Sequence, residues 1–143
     1  MQGEGMKRTH MLIDGAVTAE AKRILIVDDE KGFLLALKKI LQGPHVLVDT
    51  AETLGSAMAL LHENTYHVVI SDVMLTSFLD DEGFAILRYV KDCKPATKVI
   101  ILTGYGNYNV LEKVKLMGAD LFFEKPVSSE ILMNALQCWG IEF

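Results

Sequence analysis

From Lys22 onward, short apolar runs and longer amphipathic stretches follow one another in turn. The runs Ile24-Leu25-Ile26-Val27, Val68-Val69-Ile70, Val99-Ile100-Ile101-Leu102 and Leu121-Phe122-Phe123 are continuous and rich in β-branched or aromatic residues. Such runs fit strands covered on both faces, as in a parallel sheet. His45 to Val48 reads as a further short strand. Between the runs the period lengthens. Phe33, Leu34, Leu37, Ile40 and Leu41 recur at helical spacing, and Gly43-Pro44 stops that helix. Leu54, Ala57, Met58 and Leu61 predict a second helix, and Phe84, Leu87 and either Tyr89 or Val90 a third. Asn107 to Met117 predicts a fourth, closed by Gly118, and Ile131, Leu132, Ala135, Leu136 and Trp139 a fifth. Ser128 suits the N-cap of the last helix, with Val127 and Leu132 placed as a hydrophobic staple.

Five strand–helix repeats predict an α/β domain: a doubly wound five-stranded parallel sheet with five helices on its two faces. The common strand order at this size is 2-1-3-4-5, which puts a crevice between the first and third strands. Met1 to Ala21 sustains no period of either kind. Residues 1–21 are therefore expected to form a flexible N-terminal tail, with a helical turn near Thr18 to Lys22, and residues 22–143 the folded domain.

Each apolar run stops abruptly at a polar residue. The first ends in Asp28-Asp29, the third strand's in Ser71-Asp72, the fourth's in Thr103 and the fifth's in Glu124-Lys125-Pro126. In a parallel sheet all carboxyl ends share one edge, so these residues are expected to converge. Three carboxylates within about 5 Å repel by roughly 3 kcal/mol per pair at an effective dielectric near 20. A cation or a proton must relieve that, and oxygen-only ligation favours a hard ion, Mg²⁺ with retained waters. Capping of the first helix accounts for one aspartate at its start but not for a third at a neighbouring strand end. Lys125 precedes Pro126, whose tertiary amide lowers the cost of a cis peptide bond. Thr103 precedes Gly104, which leaves room for a group bound near its hydroxyl.

Composition sets bounds around this picture. The 143 residues suffice for one domain, and half are hydrophobic, enough for a core. A net charge of -5 with no basic stripe argues against nucleic-acid binding. Cys93 and Cys138 fit neither a metal-ligand spacing nor a disulfide framework, which points to a reducing compartment. No apolar stretch approaches the roughly 20 residues of a membrane span, and no secretory signal is evident, so a cytoplasmic protein is expected.

The ordered set Asp28-Asp29, Asp72, Thr103 and Lys125-Pro126 resembles the receiver domain of two-component response regulators. Thr103-Gly104-Tyr105-Gly106 and Met117-Gly118-Ala119-Asp120 add to the likeness, which runs from Lys22 to about Trp139. The resemblance implies a flavodoxin-like fold and a Mg²⁺-dependent phosphoacceptor. Asp72 would take a phosphoryl group from a sensor histidine kinase or phosphotransfer protein. Asp29 and Asp72 would bind Mg²⁺ directly, Asp28 mainly through water, and Met74 by its backbone carbonyl. Lys125 and Thr103 would hold phosphoryl oxygens, and Phe122 falls at the family's switch aromatic. The protein would catalyse only its own phosphorylation and dephosphorylation rather than turn over a free substrate. Implied partners are an output domain or protein on the surface of the fourth helix, fifth strand and fifth helix, or a second copy on phosphorylation.

One departure stands out. The family carries a proline four residues after the nucleophile and a glycine eight after it, whereas here Thr76 and, eleven residues on, Gly83 stand in that loop. This reads as a three-residue insertion holding Asp80, Asp81 and Glu82, acids that favour the third helix's N-terminus. Two rival functions fit these residues less well: a phosphorylation-independent receiver-like binding module, which would have lost an anchor residue, and a flavin carrier, whose phosphate an acidic crevice would repel.

Overall fold

The structure, a computed structural model, describes residues 10–13, 16–72, 84–104 and 108–143. Its strands are β1 (His10–Ile13), β2 (Ala16–Glu20), β3 (Lys22–Val27), β4 (Val46–Ala51), β5 (Val68–Asp72), β6 (Lys98–Thr103) and β7 (Leu121–Glu124). The helices are α1 (Lys31–Leu41), α2 (Leu54–Glu63), α3 (Ala85–Cys93), α4 (Tyr108–Leu116) and α5 (Ser129–Cys138). From β3 onward they alternate as expected. The five-stranded sheet runs β4-β3-β5-β6-β7 with every pair parallel, which is the order 2-1-3-4-5 counted from β3.

The continuous apolar runs make sense once the sheet is covered on both sides. Side chains alternate across a strand. Leu25 and Val27 of β3, Val69 of β5, and Val99 and Ile101 of β6 therefore point to one side, where Ala57 and Leu61 of α2, Leu87 and Val90 of α3 and Val114 of α4 cover them. Ile24, Ile26, Val68, Ile70, Ile100 and Leu102 point to the other, under Leu34, Leu37 and Leu41 of α1 and Leu132 and Leu136 of α5. Two layers of helix thus sandwich one sheet.

Local signals fix the helix ends. Thr53 and Ser56 form a reciprocal capping box at α2. Ser128 Oγ accepts from the N–H of Ile131 at 3.1 Å to cap α5. Gly118, at φ +98°, turns the chain out of α4.

Three expectations need correction. Thr18 to Lys22 holds no helical turn: β2 is extended and pairs antiparallel with β1 in a separate two-stranded sheet. An isolated turn there has too few residues to repay nucleation, and Val17 and Thr18 favour extended backbone. Ile40 and Ile131, counted among the apolar positions of their helices, are 45% and 49% exposed. At roughly 100° per residue each lies about 90° or more from the middle of its helix's buried line. The second strand runs on to Ala51 because β4 stays in register with β3 as far as Val27.

Candidate phosphoacceptor site

The carboxyl edge of the sheet collects the predicted polar residues. Asp28 follows the last residue of β3, Asp72 and Thr103 end β5 and β6, and Lys125 follows β7. Asp28, Asp72 and Thr103 are buried, whereas Asp29 is exposed. Carboxylate oxygens of Asp28, Asp29 and Asp72 lie within 4.8 Å of one another. One oxygen of Asp28, Oδ1, accepts from the N–H of Glu30 at 2.8 Å, which fixes the carboxylate at the turn into α1. Its role is therefore not to cap that helix: Glu30 holds the N-cap position without a side-chain bond.

Lys125 is the counter-charge. Its Nζ donates to Asp28 Oδ2 at 2.5 Å and to Asp72 Oδ2 at 3.3 Å, and lies 3.6 Å from Glu30 Oε1. The peptide bond to Pro126 is cis. Burial works against the ammonium's charge, but the hydrogen bond to Asp28 and the charges of Asp72 and Asp28 together outweigh it and raise its pKa above the usual lysine value. The lysine is held cationic.

A single ammonium cannot balance three carboxylates. The surplus negative charge, the all-oxygen donor set and the close spacing fit a hard metal ion. Octahedral ligation at about 2.1 Å sets ligand oxygens about 3.0 to 4.2 Å apart, so only small shifts are needed. Asp28, Asp29 and Asp72 form a cluster able to hold such an ion.

The structure brings together Asp28, Asp29, Asp72 and Lys125, with Thr103 at the adjoining strand end. Met74, Thr76, residues 80–83, Tyr105 and Gly106 lie outside the described residues. Phe122, beside Ile101 in the β6–β7 register, is partly buried and packs on the cluster beneath α2, α3 and α4. Two neighbours escaped the sequence reading. Glu30 reaches Lys125, and its place directly after the acidic pair was the available signal. Phe33, noted only as one of the apolar positions of the first helix, lies with its ring centroid 4.5 Å from Lys125 Nζ. A separate cleft of about 280 Å³, lined by Tyr66, Lys98, Trp139 and Ile141 among others, sits at the opposite, amino edge and holds none of these groups.

A sequence profile of the response regulator receiver domain matches residues 24–137. The chain belongs to that family. Among curated relatives, the photosynthetic apparatus regulatory protein RegA of Rhodobacter capsulatus is 25% identical over 119 residues, 83% of this chain and 63% of RegA. The transcriptional regulatory protein GlrR of Escherichia coli K12 is 28% identical over 113 residues, 79% of this chain but 25% of GlrR. The chain spans less than two thirds of the length of these relatives. Among solved structures, this receiver domain is similar to a CheY-like receiver protein from Methanospirillum hungatei JF-1, at TM-score 0.76 and 30% identity over 83% of this chain and 93% of that one. It also resembles the BeF3-activated DrrB receiver domain, at TM-score 0.74 and 32% identity over 83% and 97%. No helix of this receiver is long and apolar enough to cross a membrane among the described residues.

Proposed function

We propose that this receiver domain accepts a phosphoryl group on Asp72 from the phosphohistidine of a sensor histidine kinase or phosphotransfer protein, and that the acyl phosphate switches a partner surface. The observation that carries this is the pairing of Lys125 Nζ with Asp72 Oδ2 at 3.3 Å, beside a carboxylate cluster with an unbalanced charge. An Asp72 oxygen attacks phosphorus as the bond to the donor nitrogen breaks, and the imidazole leaves. Phosphoryl transfer through a loose transition state needs positioning and charge neutralisation more than covalent help. The middle strand of the sheet supplies the first, since β5 is paired on both sides. Lys125 supplies part of the second by turning from Asp72 to a phosphoryl oxygen. Asp29 and Asp72 by side chain, Asp28 mainly through water and Met74 by its backbone carbonyl would hold Mg²⁺, which would supply the remaining positive charge. Thr103 then donates its hydroxyl to another phosphoryl oxygen.

The output surface is the face of α4, β7 and α5, offered to an output domain, a separate protein or a second copy of this chain. Reducing conditions of a cytoplasm suit the exposed thiols of Cys93 and Cys138. The protein acts on itself, through phosphorylation and hydrolysis of its own acyl phosphate. Incubation with acetyl phosphate and Mg²⁺ should add one phosphoryl group by intact mass, and Asp72→Asn should abolish the addition. Full labelling of that variant would overturn the assignment, and an unlabelled wild type would favour a phosphorylation-independent binding module.

A further inference from the structure

We propose that Phe33 is a positioning residue for Lys125, holding the ammonium over the carboxylate cluster through a cation–π contact. The inference rests on the phosphoacceptor reading above. The Lys125 nitrogen lies 4.5 Å from the Phe33 ring centroid, inside the range of about 6 Å in which a ring's quadrupole attracts a cation.

The other neighbours of the ammonium are not equivalent. Asp28 and Asp72 are fixed at strand ends and buried. The Glu30 side chain, 3.6 Å away, is 69% exposed and is free to draw the lysine outward. Lysine is a flexible, strongly hydrated cation, so swinging toward Glu30 and water is its natural escape. A ring 4.5 Å from the ammonium takes up space that water would otherwise use to solvate it. It attracts the charge without accepting a conventional hydrogen bond. The N–H donors are therefore left for Asp28 and Asp72 and, after transfer, for phosphoryl oxygens.

Phe33 is well supported for this. It sits in the first turn of α1 and packs against the cluster of Leu34, Leu37 and Leu132. The ring is thus held by the core rather than by the lysine. If Phe33 were only a core side chain, an apolar residue of similar size would replace it without consequence for Lys125. Leucine and methionine fill comparable space but carry no quadrupole, whereas tyrosine keeps it.

Two readouts on the intact chain test this. The first uses no phosphodonor: the proton shifts of the Lys125 ε-methylene, assigned by their loss in Lys125→Arg. Ring current should move them upfield in the wild type and Phe33→Tyr, and both ring-less variants, Phe33→Leu and Phe33→Met, should lack the displacement. The second is the rate of Asp72 labelling by acetyl phosphate at saturating Mg²⁺, with folding checked by thermal melting. Each ring-less variant that folds should label about fivefold more slowly, and Phe33→Tyr should stay within about twofold of wild type. An undisplaced ε-methylene in the wild type overturns the contact. Wild-type or faster labelling in the folded ring-less variants overturns the role alone. A wild type that shows the displacement but never labels overturns the phosphoacceptor reading, and the positioning role with it, so the two failures are distinct.

Discussion

The backbone N–H of Lys125 donates to the carbonyl of Thr103 at 2.7 Å, one residue past Glu124, the register partner of Thr103. The hydroxyl and the ammonium proposed to hold phosphoryl oxygens are thereby tied together by main chain. A displacement of one strand end is felt at the other, which makes Thr103 the natural first responder to a new phosphoryl group.

Thr103→Ala should accordingly accept phosphoryl on Asp72 yet transmit it poorly. Moving a two-state surface from 1:99 to 99:1 takes about 5.5 kcal/mol of differential interaction, and one hydrogen bond supplies about 1. Lys125 and the metal must carry the remainder, or the shift must be partial. Amide chemical-shift changes on phosphorylation across α4 and α5 should be smaller in the variant than in the wild type. Changes equal in size and direction would remove Thr103 as relay.

Mg²⁺ should stabilise the fold by relieving carboxylate repulsion, by about 2.7 kcal/mol at 100 times its dissociation constant. Asp29→Asn should lose most of this gain, because the exposed Asp29 carboxylate is proposed as a direct ligand. Asp28→Asn should weaken the metal less but cost about 2 kcal/mol without metal, since it breaks a pair in which Asp28 is buried. Urea titrations of the three proteins with and without Mg²⁺ check both directions.

Alkaline pH should destabilise the protein through Tyr66. Burial, then the 2.6 Å hydrogen bond to Asp49 and the charge of Asp49, hold the phenol protonated well above its ordinary range, only partly offset by Arg23. A folded pKa above the unfolded one gives stability that is complete below about pH 10 and is lost as pH rises, by about 1.4 kcal/mol per unit. Lys125, also raised, adds to the loss in the same window. Tyr66→Phe should cost about 1 kcal/mol at pH 7 for the lost hydrogen bond. That deficit should shrink and reverse above pH 10, as read from denaturation midpoints between pH 7 and 11.5.

Two glycines should respond oppositely to alanine. Gly118, at φ +98° and against the Lys91 side chain, should lose about 1–2 kcal/mol. Gly55, in the first turn of α2 with open space around its Cα, should gain about 0.5 kcal/mol. Melting temperatures of the pair provide the comparison.

The β3, β5, β6 and β7 runs were legible because a strand buried on both faces leaves an unbroken apolar signature, and the polar residue that ends each run marks the sheet's edge. Asp28, Asp72, Thr103 and Lys125 were found that way. The preference of Lys125 for Asp28 over Asp72 was not, since it depends on which side of β5 the lysine approaches. Phe33 looked like any other member of an amphipathic stripe, because periodicity records that a ring faces inward but not what lies above it. Ile40 and Ile131 failed for a related reason: a 3.6-residue period tolerates flanking apolar residues that the neighbouring layer never covers. The β1–β2 pair was hidden because strands of four and five residues carry too few positions to establish alternation.

The position of β7 at the sheet's edge has a consequence for the lifetime of the assembled site. Asp28 and Asp72 are anchored by β3 and β5, each flanked by strands on both sides, whereas Lys125 hangs from a four-residue strand that, among the described residues, pairs with β6 alone. Edge fraying is the cheapest opening a sheet allows. When the end of β7 lifts, the anionic half of the site stays in place and its cation departs. Such an opening would turn a partly neutralised pocket into a bare acidic one, the form to which a divalent ion is most strongly drawn.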